Sequence, residues 1–390
     1  MRVTHVITRL IVGGAQENTI ASVRGLQEKP GLEVRLVAGT DTGPEGSLAS
    51  HCGIPAESLI LLPELVRPIH PWKDALAWRR LTKLFRAQRP DIVHTHSGKA
   101  GVLGRLAAHR AQVPVIIHTI HGPSFGSFQG PLANTLFRAA ERRAGKTTTH
   151  FVAVADAMIK QYLAASIGQP GQYSKIFSGF ALAPFLSATN DPALRARYGI
   201  GPEDFVVGKI ARLFKLKGHA DLFSVAPELV RRHPRIKFLL VGGGPWRNRF
   251  EQQAQALNLQ RHFVFAGLVL PEEVPRLAGI MDLLVHLSLR EGLPRALPQA
   301  LAAARPVVAY DCDGANEVCL DNETGFLVQP GDLSGLQARV SLLAGDPDLR
   351  ERLGRRGREF VRERFSVEKM VADLLNLYMK LAPRDNLSQS

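Results

Sequence analysis

The stretch ARLFKLKGH places Arg212 and Lys217 five residues apart where an apolar run ends. Two cations of these types suit a diphosphate, because a guanidinium bridges two oxygens while an ammonium adds a compact charge. Taken alone, the stretch reads more readily as a solvated basic turn. A lone carboxylate, Glu291, precedes Gly292–Leu293–Pro294 in LREGLPRALPQALAA, an apolar run broken after the turn by the amide of Gln299. Pro298 cannot sit in a helix interior without removing a hydrogen bond, so a helix is expected to begin between Arg295 and Pro298. Residues 292–294 then precede it as a turn with free N–H groups facing an anion or a sugar hydroxyl, with Glu291 beside them to accept hydroxyl hydrogen bonds. The bland alternative is a strand-to-helix connection with an exposed acid.

Glycines recur at two further places. LLVGGGPW ends an apolar run with Gly242, Gly243 and Gly244, where a backbone can approach a ligand closely or simply turn tightly. VGGAQ supplies Gly13, Gly14 and Gln16 ahead of a helix-like segment whose first turn can face an anion. Neither is G-x-G-x-x-G, and no G-x-x-x-x-G-K-[ST] loop exists in the chain. Nine of the 13 histidines lie before residue 180. VHTHS sets His94 and His96 on one face of a strand, and IIHTIHGP brings His118 and His121 to the end of another. Without carboxylate or Cys companions at ligand spacing these argue against a metal site. His121, next to Gly122 and Pro123, is the better candidate for a substrate contact. Asp311 and Asp313 form a D-x-D read as a turn whose carboxylates satisfy nearby backbone.

The elements that position these residues alternate. RVTHVIT, EVRLVAG, DIVHTH, VPVIIHTIHG and THFVAVA are strand-like, and between them lie segments with apolar residues three and four apart. The pattern weakens over 178–204, then restarts with FVVGKIARLF, IKFLLVGGG, HFVFAGLV, MDLLVHLS and ARPVVAY. This predicts an α/β chain of two Rossmann-like doubly wound domains, 1–180 and 204–365, whose strand C-terminal edges face a cleft. Residues 366–390 add a helix and tail; Met370, Val371, Leu374, Leu375 and Tyr378 form a stripe that must pack, with the first domain as the expected partner.

Composition agrees with 390 residues split into two cores. No run reaches the ~20 apolar residues of a membrane span, and MRVTHVITRL is too short and too charged for a signal peptide. Cys52, Cys312 and Cys319 lack metal spacing and fit a reducing compartment. The expectation is a cytoplasmic protein, at most peripheral at the inner face of the plasma membrane. Residues 1–180 hold 21 Lys and Arg against 11 Asp and Glu, so most of the net charge of +14 lies there. Aromatics at 7%, without basic arms, argue against nucleic acid. The charge fits an acceptor bearing phosphate or an anionic membrane surface, which the basic segment 71–89 with Trp72, Leu76, Leu81, Leu84 and Phe85 could meet. Such a helix more commonly covers a sheet.

In order along the chain, GGAQ, DIVHTHSGKAG, HTIHG, ARLFKLKGH, LLVGGGP, REGLPRALPQALAAARPVVAYDCDGANEV and ETGFLVQPGD resemble the retaining nucleotide-sugar glycosyltransferases of the GT-B fold, family 4. The resemblance implies that Arg212 and Lys217 bind a donor diphosphate. It gives the Gly292–Leu293–Pro294 turn, through its free N–H groups, to phosphate and sugar, Gly243 to the donor, and a sugar hydroxyl to Glu291. His121 would sit at the reaction centre, with Gly13, Gly14 and Gln16 on the phosphate and acceptor side. Family members usually place a second Glu eight residues after the first, to bind the nucleotide ribose; Gln299 stands there. The implied activity moves a hexosyl unit from a UDP- or GDP-sugar to a glycan, lipid-linked saccharide or small acceptor, without a metal cofactor. An epimerase or phosphorylase of the same fold, or a sugar-nucleotide-binding subunit that has lost catalysis, remain alternatives.

Overall fold

In the computed structural model, which describes residues 1–40, 48, 52–126 and 128–382, the chain divides into two compact units. One is Met1–Phe180 together with the segment from Val367; the other is Ala181–Ser366.

In the first unit β1 (Arg2–Ile7), β2 (Glu33–Ala38), β3 (Leu59–Leu61), β4 (Ile92–His96), β5 (Val115–Ile120), β6 (His150–Ala153) and β7 (Tyr173–Lys175) form one sheet in the order β3-β2-β1-β4-β5-β6-β7. Every pairing is parallel. Both faces are covered, which is why the central strands read as nearly continuous apolar runs. Alternation still decides which residues meet. Val3, Ile7, Ile92 and Ile117 join the core that also takes Val23 and Leu26 of helix Gly14–Gln27. Val6, Val93 and Ile116 join the opposite core, with Leu81 and Phe85 of helix Pro71–Gln88. By the same parity His5, His94, His96 and Thr119 share the first face, and Thr95 and His118 the second.

The first face is closed by helix Val367–Leu381, which buries Met370, Val371, Leu374, Leu377 and Tyr378. Leu377 takes the fully covered place on the stripe and Leu375 only a partly buried one. The helix lies close because Gly25 has no side chain: a Cβ there would stand 2.5 Å from Val371 Cγ2. Of the tail beyond it, residues 383–390 lie outside the described residues.

In the second unit β8 (Phe205–Ile210), β9 (Ile236–Val241), β10 (Phe263–Gly267), β11 (Leu283–His286), β12 (Val307–Tyr310) and β13 (Gly325–Val328) run in the order β10-β9-β8-β11-β12-β13, all parallel. The unpatterned stretch after residue 180 is part of this unit, not a linker. It forms the short helices Ala183–Leu186 and Pro192–Arg197. Arg195, 3% exposed, anchors it by donating to the carbonyls of Gly201, Asp204 and Ile280. A buried guanidinium is tolerable only with its donors engaged.

Helix Pro71–Gln88 has the bounds its sequence suggests, but Leu81 and Phe85 are fully covered by the sheet, so only part of the proposed membrane stripe is on the surface. Trp72 and Leu76 are its exposed large apolar groups, at 84% and 41%, and Ile69, just before the helix, is exposed at 60%. Among the described residues no helix is long and apolar enough to cross a membrane.

Candidate active site

The second unit gathers its predicted donor-side residues on loops at the C-terminal ends of β9, β8, β11 and β12, around the point where strand order reverses. Backbone hydrogen bonds stitch these loops together. Leu213 N–H donates to Gly243 O at 2.9 Å, Trp246 N–H to Leu213 O at 3.1 Å, Leu289 N–H to Leu216 O at 2.9 Å, and Gly314 N–H to Gly292 O at 3.2 Å. Gly242 and Gly244, with φ of +137° and +156°, permit the first stitch: a Cβ on them would stand 2.3 Å from Ala211 O and 2.4 Å from Leu213 O. An added Cβ on Gly243 would instead meet Leu268 Cβ at 3.3 Å. The close approach these glycines allow is to protein backbone.

Within this frame Lys217 Nζ lies 2.5 Å from Glu291 Oε1, both side chains about three-quarters covered. The two residues that the family pattern gives to different parts of a donor therefore hold each other. Burial pushes the Glu291 carboxyl up, but the Lys217 ammonium, His286, the hydrogen bond from Lys217 and the Ser288 hydroxyl together outweigh it and keep the group below the usual carboxylate range. Arg212 is exposed, its guanidinium carbon 5.7 Å from the Phe214 ring centroid. The turn Gly292–Leu293–Pro294 is buried, and helix Ala296–Ala302 follows it with Arg295 at its cap. Gln299 is half-buried on that helix.

The D-x-D has two separate jobs. Asp313, at φ +50°, accepts the Glu291 N–H at 2.7 Å through Oδ2, so it fixes the loop that carries the acid. Asp311 Oδ1 accepts from Asn316 Nδ2 at 3.0 Å. Below the loops lies a layer that sequence reading passed over. Lys209, on β8 and 1% exposed, has no hydrogen-bond partner for its Nζ among the described residues. Burial and then the Lys217 charge push its amine down to about 7, against the opposing pull of Glu291 and Asp221. His286 Nε2 is 3.6 Å from Glu291 Oε1, and burial pushes that imidazole down to about 3. His219 stacks on Phe250 with ring centroids 5.0 Å apart. The legible signal for this layer was a Lys inside the apolar strand FVVGKI.

In the first unit Gly13 caps helix Gly14–Gln27 with an extended backbone, and Glu17 N–H donates to its carbonyl at 3.0 Å. Gln16 folds back over this start: its Oε1 would be 2.8 Å from a Cβ on Gly13. His121 follows β5, with Nε2 3.0 Å from His96 Nδ1. His118 is separated from it, on the opposite face, where Nδ1 bonds Thr95 Oγ1 at 2.9 Å. In its place His5, not singled out from sequence, joins His94 and His96. One ring nitrogen from each lies within 4.8 Å of the others, close enough to hold an ion, and all three rings are engaged in hydrogen bonds.

Residues 190–360 match the family model of glycosyl transferases group 1, and residues 13–173 match that of the glycosyl transferase 4-like domain. The Escherichia coli UDP-Gal:alpha-D-GlcNAc-diphosphoundecaprenol alpha-1,3-galactosyltransferase is 28% identical over 324 residues, covering 82% of this chain and 83% of that protein. The GDP-mannose-dependent alpha-(1-6)-phosphatidylinositol monomannoside mannosyltransferase of Mycolicibacterium smegmatis is 30% identical over 280 residues, 69% of this chain and 72% of that one. Anabaena HepE, solved in complex with UDP, superposes with a TM-score of 0.81 at 21% identity over 97% of this chain and all of that one, which places the fold among the GT-B glycosyltransferases. With both family models in register along the chain and this identity to an enzyme of the family, the protein belongs to the group 1 glycosyltransferases of the GT-B fold.

Proposed function

We propose that the protein transfers a hexosyl unit from a UDP- or GDP-linked sugar to a glycan or lipid-linked acceptor, with retention of anomeric configuration. The observation that carries this reading is the Lys217–Glu291 pair, held over the buried Lys209 at the end of the sheet where Arg212 and the 292–294 turn also converge. The relatives named above use UDP- and GDP-sugars and lipid-linked acceptors, which supports the substrate class.

In this reading the donor diphosphate takes the Arg212 guanidinium and the Lys217 ammonium. Glu291, freed in part from Lys217, accepts a sugar hydroxyl. Gly243 borders the donor through its loop. As the glycosidic bond breaks, charge grows on the leaving phosphate oxygen, and fixed cations stabilise it without reorganisation. That oxygen takes the proton of the acceptor hydroxyl, which enters on the face the phosphate leaves, so configuration is retained with no protein nucleophile and no metal ion. His121 contacts substrate hydroxyls, and the capped helix start at Gly13, Gly14 and Gln16 meets the acceptor side. The exposed Trp72 and Leu76 on a basic helix, with Ile69 just before it, suit a peripheral contact with an anionic membrane. The test is a panel of UDP- and GDP-hexoses with product anomers read by proton NMR. An α-linked donor should give an α-linked product; a β-linked product would refute retention.

A further inference from the structure

Three buried imidazoles of the first unit join two hydroxyls and His121 in one unbroken hydrogen-bond chain. The Tyr378 hydroxyl, on helix Val367–Leu381, lies 2.5 Å from His94 Nδ1 and 3.2 Å from His5 Nε2. On one side His94 Nε2 reaches Thr119 Oγ1 at 2.6 Å. On the other, His5 Nδ1 meets His96 Nε2 at 2.9 Å, and His96 Nδ1 meets His121 Nε2 at 3.0 Å. His5, His94, His96 and Tyr378 are at most 1% exposed, and Thr119 is 4% exposed.

Burial keeps these rings neutral: it pushes His5 down to about 3, His94 and His96 well below the usual imidazole range, and the Tyr378 phenol well above its own. A neutral imidazole carries one ring proton, donating from one nitrogen and accepting at the other. Each nitrogen-to-nitrogen link holds one proton, so all links must point the same way. In one sense Thr119 donates to His94, His94 to Tyr378, Tyr378 to His5, His5 to His96 and His96 to His121, whose own proton then lies on Nδ1. In the other sense every link reverses, and the proton of His121 lies on Nε2. A mixed arrangement would set two N–H groups or two lone pairs against each other at a ring-to-ring link; at Tyr378, whose oxygen can accept from both rings, it would leave the buried phenol proton without either ring to bond.

Two of the three oxygen contacts set the sense. The 2.5 Å contact has the length of an O–H donor, so Tyr378 donates to His94, and 3.2 Å to His5 suits an N–H donating to the phenol oxygen; the 2.6 Å to Thr119 is short for the N–H donor this sense requires, but the opposite sense misfits both Tyr378 contacts. We propose that Tyr378, acting through His5 and His96, is a positioning residue for His121, fixing it as the Nε2–H tautomer and making its Nδ1 the ring's acceptor. The helix that carries Tyr378 thereby acts on His121 through the rings of His5 and His96. The chemical consequence rests on the reading of His121 as a substrate contact: an accepting Nδ1 takes the proton of a sugar hydroxyl and repels a phosphate oxygen.

The test is nitrogen NMR of the full chain labelled with 15N-histidine, with the His121 signals assigned by His121→Gln. Wild type should show the Nε2–H pattern alone. Thr119→Val removes the acceptor of the His94 Nε2–H, so His94 should move its proton to Nδ1, the chain should reverse, and His121 should switch to the Nδ1–H pattern. Tyr378→Phe breaks the chain, and His121 should show averaged shifts of both tautomers. An Nδ1–H pattern in wild type, or His121 shifts unchanged in both variants, would overturn the proposal. So would binding of one equivalent of Zn²⁺ that displaces the His5, His94 and His96 signals of the protein as purified, because ring nitrogens ligating an ion cannot bond one another. Donor hydrolysis by His121→Ala separates the two ideas. If the switch is seen and this variant turns over donor at the wild-type rate, the tautomer chain stands and the substrate role of His121 fails.

Discussion

Replacing Lys209 with Met is expected to stabilise the second unit while keeping the length and shape of the side chain. The amine sits on a central strand with no partner for its Nζ among the described residues, and its burial pushes it from the ordinary 10.5 to about 7. At about 1.4 kcal/mol for each pKa unit, that displacement amounts to about 5 kcal/mol. Relaxation around a buried charge returns some of it, so the expected gain is about 2–5 kcal/mol. Below pH 7 the amine is protonated in both states, and the folded chain carries the whole burial cost. Between pH 7 and 10.5 the unfolded chain holds a proton the folded chain has lost, so wild-type stability rises with pH. Above 10.5 both forms are neutral and the contribution is gone. Lys209→Met should therefore show its full advantage at pH 6–7 and lose it toward pH 10. Because two units need not unfold together, the assay is hydrogen exchange of the 205–210 backbone, compared at matched pH. The variant should exchange roughly 30- to 4,000-fold more slowly at pH 6.5, the factor that about 2–5 kcal/mol of added stability gives. Equal protection in both proteins at pH 6.5 would refute the view of Lys209 as a strained, unpaired cation.

Asp313→Ala removes the acceptor of the Glu291 N–H, and kcat/KM for the donor should fall about tenfold, matching the ~1.4 kcal/mol of a charge-assisted bond to a loop that must be held still. An unchanged kcat/KM would show that the loop is held without it. Gln299→Glu restores a carboxylate at the position where the family pattern has one; donor affinity by calorimetry should rise by up to about tenfold, since two ribose hydroxyls would then meet a charged acceptor. Equal or weaker binding would separate Gln299 from the ribose.

The two alternating sheets were legible because period and apolar runs report burial on both faces, and the helix after Pro294 began inside the window that Pro298 sets. Arg212 and Glu291 were legible as types on loops. What they touch was not: Lys217 and Glu291 are 74 residues apart, and only the β8–β11 pairing brings their loops together. His5 was missed for the same reason, since nothing in RVTHVI shows that it stands opposite His94 in the β1–β4 register. His94 and His96 were placed on one face correctly, but His118 was grouped with His121 by proximity in sequence when strand parity turns it away. Lys209 escaped because a Lys is ordinarily solvated, so its burial had to be seen. The stretch over 178–204 lost the pattern in the sequence because its anchor, Arg195, bonds carbonyls as far along the chain as Ile280.

Donor hydrolysis offers the most direct check on transfer from a nucleotide sugar, because it needs no knowledge of the acceptor. With UDP- and GDP-hexoses supplied in turn and release of the nucleoside diphosphate followed by mass, the wild-type chain should turn over at least one donor, and Arg212→Ala should lose roughly 100- to 1,000-fold in kcat for it, the usual cost of removing one fixed group that stabilises transition-state charge. Turnover of none of them, or an Arg212→Ala variant as active as wild type, would contradict a donor diphosphate bound at the end of β8.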